Sequence, residues 1–417
     1  MRTARILAVV GATAVAAASL AACSSGPKDG DVTFWSPLTG DDGAFMKTLV
    51  EDFNGETDGC KVDFQPIPAG DLYTKIYSVA KSNESKPQLL LVHGPRIPEF
   101  ARAGLIQPVE KLQEIQPSLV AENYIPAAWD AGVYEGVAYG IPLDLHGVVT
   151  YYNTDLLQEY GVEGWLDDDV ITVDELMELE GRLPDGVYAM PGMFVPAVVE
   201  AQLYNLGSSY APGGELDLTQ PAMVEIFDGL VALNEAGLID PEDADHYQVF
   251  NSGQAVAFPD GTWGISSRNM VDGLNWGVTH NLMIDPSNVT NVLESHTFVQ
   301  MIDDRRSEKT DACVASFIEY LRVNSAYWGE AGQVVASVEA FESPEYATHP
   351  QAFLTDTEEA RATLLTNDYI YAPYVSDALW GKFQDILQGR VSVEDGLQQM
   401  QDEVAAKIAE SEAAAGN

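Results

Sequence analysis

The chain has 417 residues and carries 64 Asp and Glu against 21 Lys and Arg, a formal charge of −43. At about 150 residues per domain this length makes two or three compact units, and a 46% hydrophobic fraction excludes a disordered acidic tail. A field this negative argues against a nucleic-acid partner, whose phosphates need dense Lys and Arg, and against docking on anionic lipid through surface charge; it favours a neutral or cationic ligand.

Met1 to Arg5 is a short basic head, and Ile6 to Leu20 follows without a charge. That run is shorter than the ~20 apolar residues of a membrane span and has the layout of a secretory signal. It closes on Leu20-Ala21-Ala22-Cys23 before Ser24-Ser25-Gly26-Pro27, which resembles the bacterial lipobox, in which the cysteine becomes the new N-terminus and carries lipid. The expected layout is a signal peptide over 1–22, a tether over 23–30 and a body outside the membrane. Cys60 and Cys313 remain, and an exported pair reads either as a disulfide or as two buried thiols. With no CxxC, HExxH or histidine cluster among the six His, no metal site is expected.

The body alternates strand and helix. Val32 to Trp35 reads as a strand, and Phe45, Leu49 and Phe53 give the apolar stripe of a helix. Lys61 to Gln65 is a second strand, and Tyr73, Ile76 and Val79 mark a second helix. Gln88 to Val92 is a buried strand followed by a helix from Ile97 to Ala103. This alternation predicts a parallel sheet with helices on both faces, an α/β fold. Ligands of such sheets sit at the carboxyl ends of the strands, which places Trp35 to Asp42, Pro66 to Asp71 and Val92 to Arg96 on one rim. Val148 to Tyr152 is a further strand, followed by a helix from Asp155 to Tyr160. Leu176, Leu179 and Leu183 mark a helix that Thr172 and Glu175 open as a capping box. Helices are expected over Val195 to Leu206, Pro221 to Ala236, Lys309 to Val323 and Ser376 to Leu387, with a short strand from Gln254 to Phe258. The last helix opens at Ser392, and the small polar tail after Glu410 is expected to fray.

Five blocks then carry a resemblance. They are Asp31-Val32-Thr33-Phe34-Trp35-Ser36-Pro37; Tyr139-Gly140-Ile141-Pro142-Leu143-Asp144 with Tyr151-Tyr152-Asn153-Thr154-Asp155; Phe250-Asn251-Ser252-Gly253-Gln254-Ala255-Val256-Ala257-Phe258 with Gly261-Thr262-Trp263; Trp328-Gly329-Glu330-Ala331-Gly332; and Leu387-Gln388-Gly389-Arg390. Each is weak alone, but in this order and behind a lipobox they resemble the carbohydrate-binding lipoproteins of ABC importers, the extracellular solute-binding family that includes maltose-binding protein. The resemblance implies a two-lobed periplasmic-binding-protein-like fold of type II, each lobe a sheet flanked by helices, with the ligand clamped between them. By analogy lobe one takes 31–143 plus 290–337 and lobe two 144–289 plus 338–417. The chain departs from many relatives at Leu91-Val92-His93-Gly94-Pro95, where an acidic or aromatic residue usually follows the strand.

A sugar offers an apolar ring face and a belt of hydroxyls, so its cleft needs aromatic platforms and fixed donors and acceptors. Trp35 and Trp263 both follow expected strands, and Trp380 lies on the late helix where a relative places a stacking tryptophan. Each reads as a stacking ring or as core; Trp328, in a helix near Phe317 and Tyr320, reads as core. Ser36, Asp41, Asp42, Asp71, His93, Asp144, His146 and Asp260 are the polar contacts expected. Helix capping is the other reading for one of Asp41 and Asp42 and for Asp71, a turn for Asp260, and a satisfied polar residue for His146. No nucleophile elbow, phosphate loop or dinucleotide turn is present. The expectation is a monomeric, non-enzymatic, cofactor-free lipoprotein that captures a neutral sugar, an oligosaccharide, for an ABC permease; a membrane-anchored extracellular glycoside hydrolase is the alternative.

Overall fold

The structure is a computed structural model and describes residues 29–82, 86–193, 196–355, 364–365 and 369–415. The expected signal segment, Cys23, most of the tether and the expected helix start at Val195 lie outside the described residues. The strands are β1 (Val32–Ser36), β2 (Val62–Pro66), β3 (Leu89–His93), β4 (Ile106–Gln107), β5 (Val133–Tyr134), β6 (Val137–Ala138), β7 (Ile141–Asn153), β8 (Ala257–Gly261), β9 (Trp276–Thr279), β10 (Asn291–Met301), β11 (Val334–Val335) and β12 (Leu364–Leu365).

The main sheet runs β11-β7-β10-β3-β1-β2. β1 pairs in parallel with β2 and β3, as strand–helix alternation predicts. β10 reverses the direction: it pairs antiparallel with both β3 and β7, so the sheet is mixed rather than wholly parallel. In β1 the two-residue period of a strand divides the side chains between two cores. Val32 and Phe34 face the helices Asp41–Glu56 and Glu308–Val323, where Phe34 meets Phe317 edge-on at 5.7 Å. Trp35 faces the other way, into a core with Leu72, Ile76 and Leu90 beneath the helix Ala69–Ala80. A third core gathers Leu156, Leu203, Phe227, Leu379 and Leu397 from the helices packed around β8.

The 13-residue β7 belongs to both halves of the molecule. Ile141 to Gly147 pairs with β10, and Val148 to Asn153 pairs with β8 and β9. A bulge opposite His296 and Thr297 falls at Pro142-Leu143, where a residue without an N–H interrupts no ladder bond. Cys60, just before β2, and Cys313, on the helix Glu308–Val323, are joined by a disulfide with a Cα–Cα distance of 5.6 Å.

Most expected elements form within a few residues of their reading, but the strand expected to begin at Val148 starts at Ile141, and four other departures stand out. The strand expected to end at Phe258 is shifted to Ala257–Gly261, so Asp260-Gly261 is strand and not turn. The helix opened by the Thr172–Glu175 capping box stops at Met177 and does not reach Leu183, although both capping hydrogen bonds form. The last helix continues to Ala415 rather than fraying after Glu410. β10 has no counterpart in the sequence reading. Among the described residues no helix is long and apolar enough to cross a membrane.

Candidate functional site

A cleft of about 910 Å³ opens between the two halves. On the β1–β3 side its walls come from the loop Pro37 to Asp42, from Tyr73 and Tyr77 on the helix Ala69–Ala80, and from His93 and Arg96 after β3. Glu200, Tyr247, Trp263, Asp377 and Trp380 form the opposite side, with His146, Glu294 and His296 at the back. A smaller groove of about 540 Å³ runs outside this cleft along the helix Asp41–Glu56 and β2, on one half only.

The back wall is built by strand register. His93 at the end of β3 is the cross-strand partner of His296 on β10, and His296 is in turn opposite Asp144 on β7. Two residues along, Glu294 faces His146, so alternation places all five side chains on one sheet face. The His146 and His296 rings stack with centroids 3.9 Å apart, and the His93 centroid lies 5.1 Å from that of His296.

Asp144 sits beneath this layer, fully buried. It accepts from His296 Nδ1 at 3.0 Å, from the His296 backbone N–H at 3.2 Å, from His146 Nδ1 at 3.4 Å and from Trp328 Nε1 at 2.7 Å. Burial alone would raise its carboxyl, but the charge of His296 and the imidazole hydrogen bonds outweigh burial and hold it well below the carboxylate range. Burial likewise disfavours a charged His296, yet Asp144 raises its basicity, whereas burial and the neighbouring imidazolium depress His146 and, further, His93. Asp42, on the other side of His296, is raised by burial.

Of the expected site residues, Asp41, Asp42, His93, His146, Trp263 and Trp380 line the cleft. Gly40 occupies the cap position of the helix Asp41–Glu56, so neither aspartate is the N-cap; Asp42 accepts from the Gly43 N–H at 2.7 Å. Trp380 is 58% exposed and Trp263 follows β8 on a short 3₁₀ turn, its ring 5.9 Å from His146.

The remaining five are elsewhere. Trp35 is core: its indole N–H donates to Gln65 at 3.0 Å and Lys75 lies 3.9 Å above its ring. Ser36 is buried and accepts from the Leu38 N–H at 3.2 Å. Asp71 is exposed in the first turn of the helix Ala69–Ala80, away from the cleft wall. Asp144 supports the histidines from behind. Asp260 is buried against Arg268, Oδ2 to Nη2 2.9 Å, and does not reach the cleft.

The reading missed Tyr73, Arg96, Glu200, Tyr247, Glu294 and His296. Tyr73 served it as a helix marker, and Arg96 fell on its rim. Nothing in the order of residues joins His296 to His93 and His146; register alone does, and it corrects the expectation that no histidine cluster exists. A ring nitrogen from each of the three lies within 4.8 Å of the others.

The profile of the bacterial extracellular solute-binding protein family matches residues 36–275. A curated arabinooligosaccharide-binding protein of Halalkalibacterium halodurans is 23% identical over 216 residues, which make 49% of this chain and 47% of the relative, so the match spans about half the length of either. The ABC substrate-binding protein Lmo0181 from Listeria monocytogenes, solved with cycloalternan, superposes with a TM-score of 0.77 at 17% identity, covering 91% of this chain and 99% of that one. The GacH receptor of Streptomyces glaucescens, solved unliganded and with acarbose, gives 0.76 at 19% identity over 90% and 97%. The maltose/maltodextrin-binding domain MalE from Bdellovibrio bacteriovorus, bound to maltotriose, gives 0.75 at 17% over 91% and 100%. At these identities the likeness is one of fold: two α/β lobes, as the sequence resemblance implies.

Proposed function

Since the chain belongs to the bacterial extracellular solute-binding protein family, we propose that it captures a neutral oligosaccharide between its lobes and delivers it to an ABC permease. The observation that carries this reading is the cleft itself, where Trp263, Trp380, Tyr73 and Tyr77 supply ring platforms and Asp41, Asp42 and Glu294 supply acceptors. Rings stack on a sugar's apolar face, and carboxylates accept strong hydrogen bonds from its hydroxyls. Lobe one comprises 31–143 plus 290–337, lobe two 144–289 plus 338–417, and a lipid on Cys23 holds the protein at the outer face of the membrane. Ligand that touches both lobes favours the closed state and shifts the equilibrium by its differential affinity.

The relatives named above are binding proteins, which supports a non-enzymatic role; a glycoside hydrolase finds no support among them. The test is a thermal-shift and tryptophan-fluorescence panel of neutral mono- and oligosaccharides, with each sugar recovered afterwards. Binding with intact recovery is expected. Cleaved sugar, or silence across the panel, refutes the proposal.

A further inference from the structure

We propose that His93, His146 and His296 form a binding site for one divalent transition-metal ion, zinc above all, on the back wall of the cleft. Three neighbouring strands bring these residues together, and half of the six histidines in the chain converge there. In each ring Nδ1 is already engaged: that of His93 by the Tyr73 hydroxyl, those of His146 and His296 by Asp144. Each Nε2 is therefore left to serve as the ligand. An imidazole that binds metal through one nitrogen while the other donates to a carboxylate or hydroxyl oxygen is the arrangement that fixes ring orientation and raises ligand basicity. Here Asp144 supplies two of these outer contacts from a fully buried position, with its own geometry held by Trp328.

The spacing suits a three-histidine site with an open position. Ligand nitrogens at about 2.0–2.1 Å from a tetrahedral zinc lie about 3.3 Å from one another, and one nitrogen of each ring, Nδ1 or Nε2, is within 4.8 Å of the others now. Loading draws them together and fans the stacked His146 and His296 rings off their 16° interplanar angle, so that the lone pairs converge. Three nitrogen donors, that of His296 freed when the metal displaces its Nε2 proton to solvent, match zinc and its neighbours in the first transition row rather than calcium or magnesium, which take oxygen. All three rings line the cleft, so the open coordination position faces the space a solute would fill. Asp42 and Glu294 beside it add the negative field that draws a cation in. The site stands on geometry independent of the sugar reading.

The experiment is calorimetric titration of the chelator-stripped protein with Zn²⁺, with Co²⁺ as a visible-absorption probe, on wild type, His93→Gln and His296→Gln. One Zn²⁺ per chain and a ligand-field spectrum of low-coordinate, nitrogen-bound Co²⁺ are expected. Each variant should lose affinity by more than the ~10–100-fold that outer contacts alone are worth. His93 is only partly buried, so His93→Gln reports on the site even where His296→Gln unfolds. Absence of stoichiometric zinc, or zinc held equally well by a folded His93→Gln variant, overturns the site. Sugar titrations with and without chelator keep the two readings apart: sugar bound by a protein that takes no zinc sinks the metal site alone.

Discussion

Reduction of the Cys60–Cys313 bridge should cost several kcal/mol, and the cost follows from where the bridge lies in the chain. It joins the entry to β2 to the helix Glu308–Val323, both of which pack on the same Phe34–Phe317 core. The enclosed loop spans 253 residues, including β7, β8 and β9 but not the helices Ala372–Leu387 and Val393–Ala415 that complete the other half. On the chain-entropy relation, closing a loop of that size removes about 5.5 kcal/mol from the unfolded state, and measured bridges usually deliver about 2–5. Guanidinium unfolding with and without reductant, and of the Cys60→Ala/Cys313→Ala protein, measures the difference. The reduced midpoint should fall by an amount corresponding to at least about 2 kcal/mol. Hydrogen exchange should quicken first in Asp41–Glu56 and Glu308–Val323, while the core around Phe227 and Leu397 keeps its protection. Coincident oxidised and reduced midpoints would refute the reasoning.

Three more outcomes are expected. Trp263→Ala should weaken oligosaccharide binding by about 2 kcal/mol, roughly 30-fold, with an unchanged melting temperature; retained affinity in fluorescence or calorimetric titration would return this ring to the core. Arg268→Ala should destabilise by about 3–5 kcal/mol, because it strands the Asp260 carboxylate in the interior, whereas Asp260→Leu/Arg268→Met should recover most of that loss in a urea titration; equal stabilities of the single and double variants would contradict this. Asp311 is buried, which would raise its carboxyl, but Lys111 at 2.5 Å and Arg306 at 2.6 Å prevail and hold it below its ordinary 3.8. Its pairing therefore supports the fold fully above that pH and is lost as the pH falls toward the depressed folded value. Wild type and Asp311→Asn should converge in stability on acidification below 3.8, and a gap that stays constant down to pH 2.5 would be the contrary result.

What the sequence made legible depended on whether one physical signal dominated locally. β3, Leu89-Leu90-Leu91-Val92, is a short apolar run with both faces buried and is plain on the page. β10 is as deeply buried yet carries Asn291, Ser295, His296, Thr297 and Gln300; His296 bonds to Asp144 on β7 and Gln300 to Asp311 on the helix Glu308–Val323, while Ser295 and Thr297 bond within β10 itself. Without an apolar alternation it has no local signature, and the lining it contributes stayed hidden with it. Trp35 and Trp263 show the same limit from the other side. Both follow strand signals, but a strand end points a side chain to one face or the other according to parity: Trp35 goes under a helix, while the 3₁₀ turn after β8 carries Trp263 to the cleft. Asp144 was found for the right neighbourhood and the wrong depth, since only the register against β10 reveals a layer of histidine in front of it.

The continuity of β7 has a mechanical consequence. A ribbon that leaves one sheet at Gly147 and enters the other at Val148 bends easily across its faces but resists in-plane shear and sliding, which would break ladder bonds on both sides at once. At Gly147 itself a methyl group would lie 2.3 Å from Leu293 Cδ2 and 2.5 Å from the Val292 carbonyl, so the neighbouring strand crowds the flexure on one side. Such a joint behaves as a leaf spring with one compliant direction. In the closure proposed above, this joint sets one arc of approach, along which the rings and carboxylates of the two cleft walls would meet.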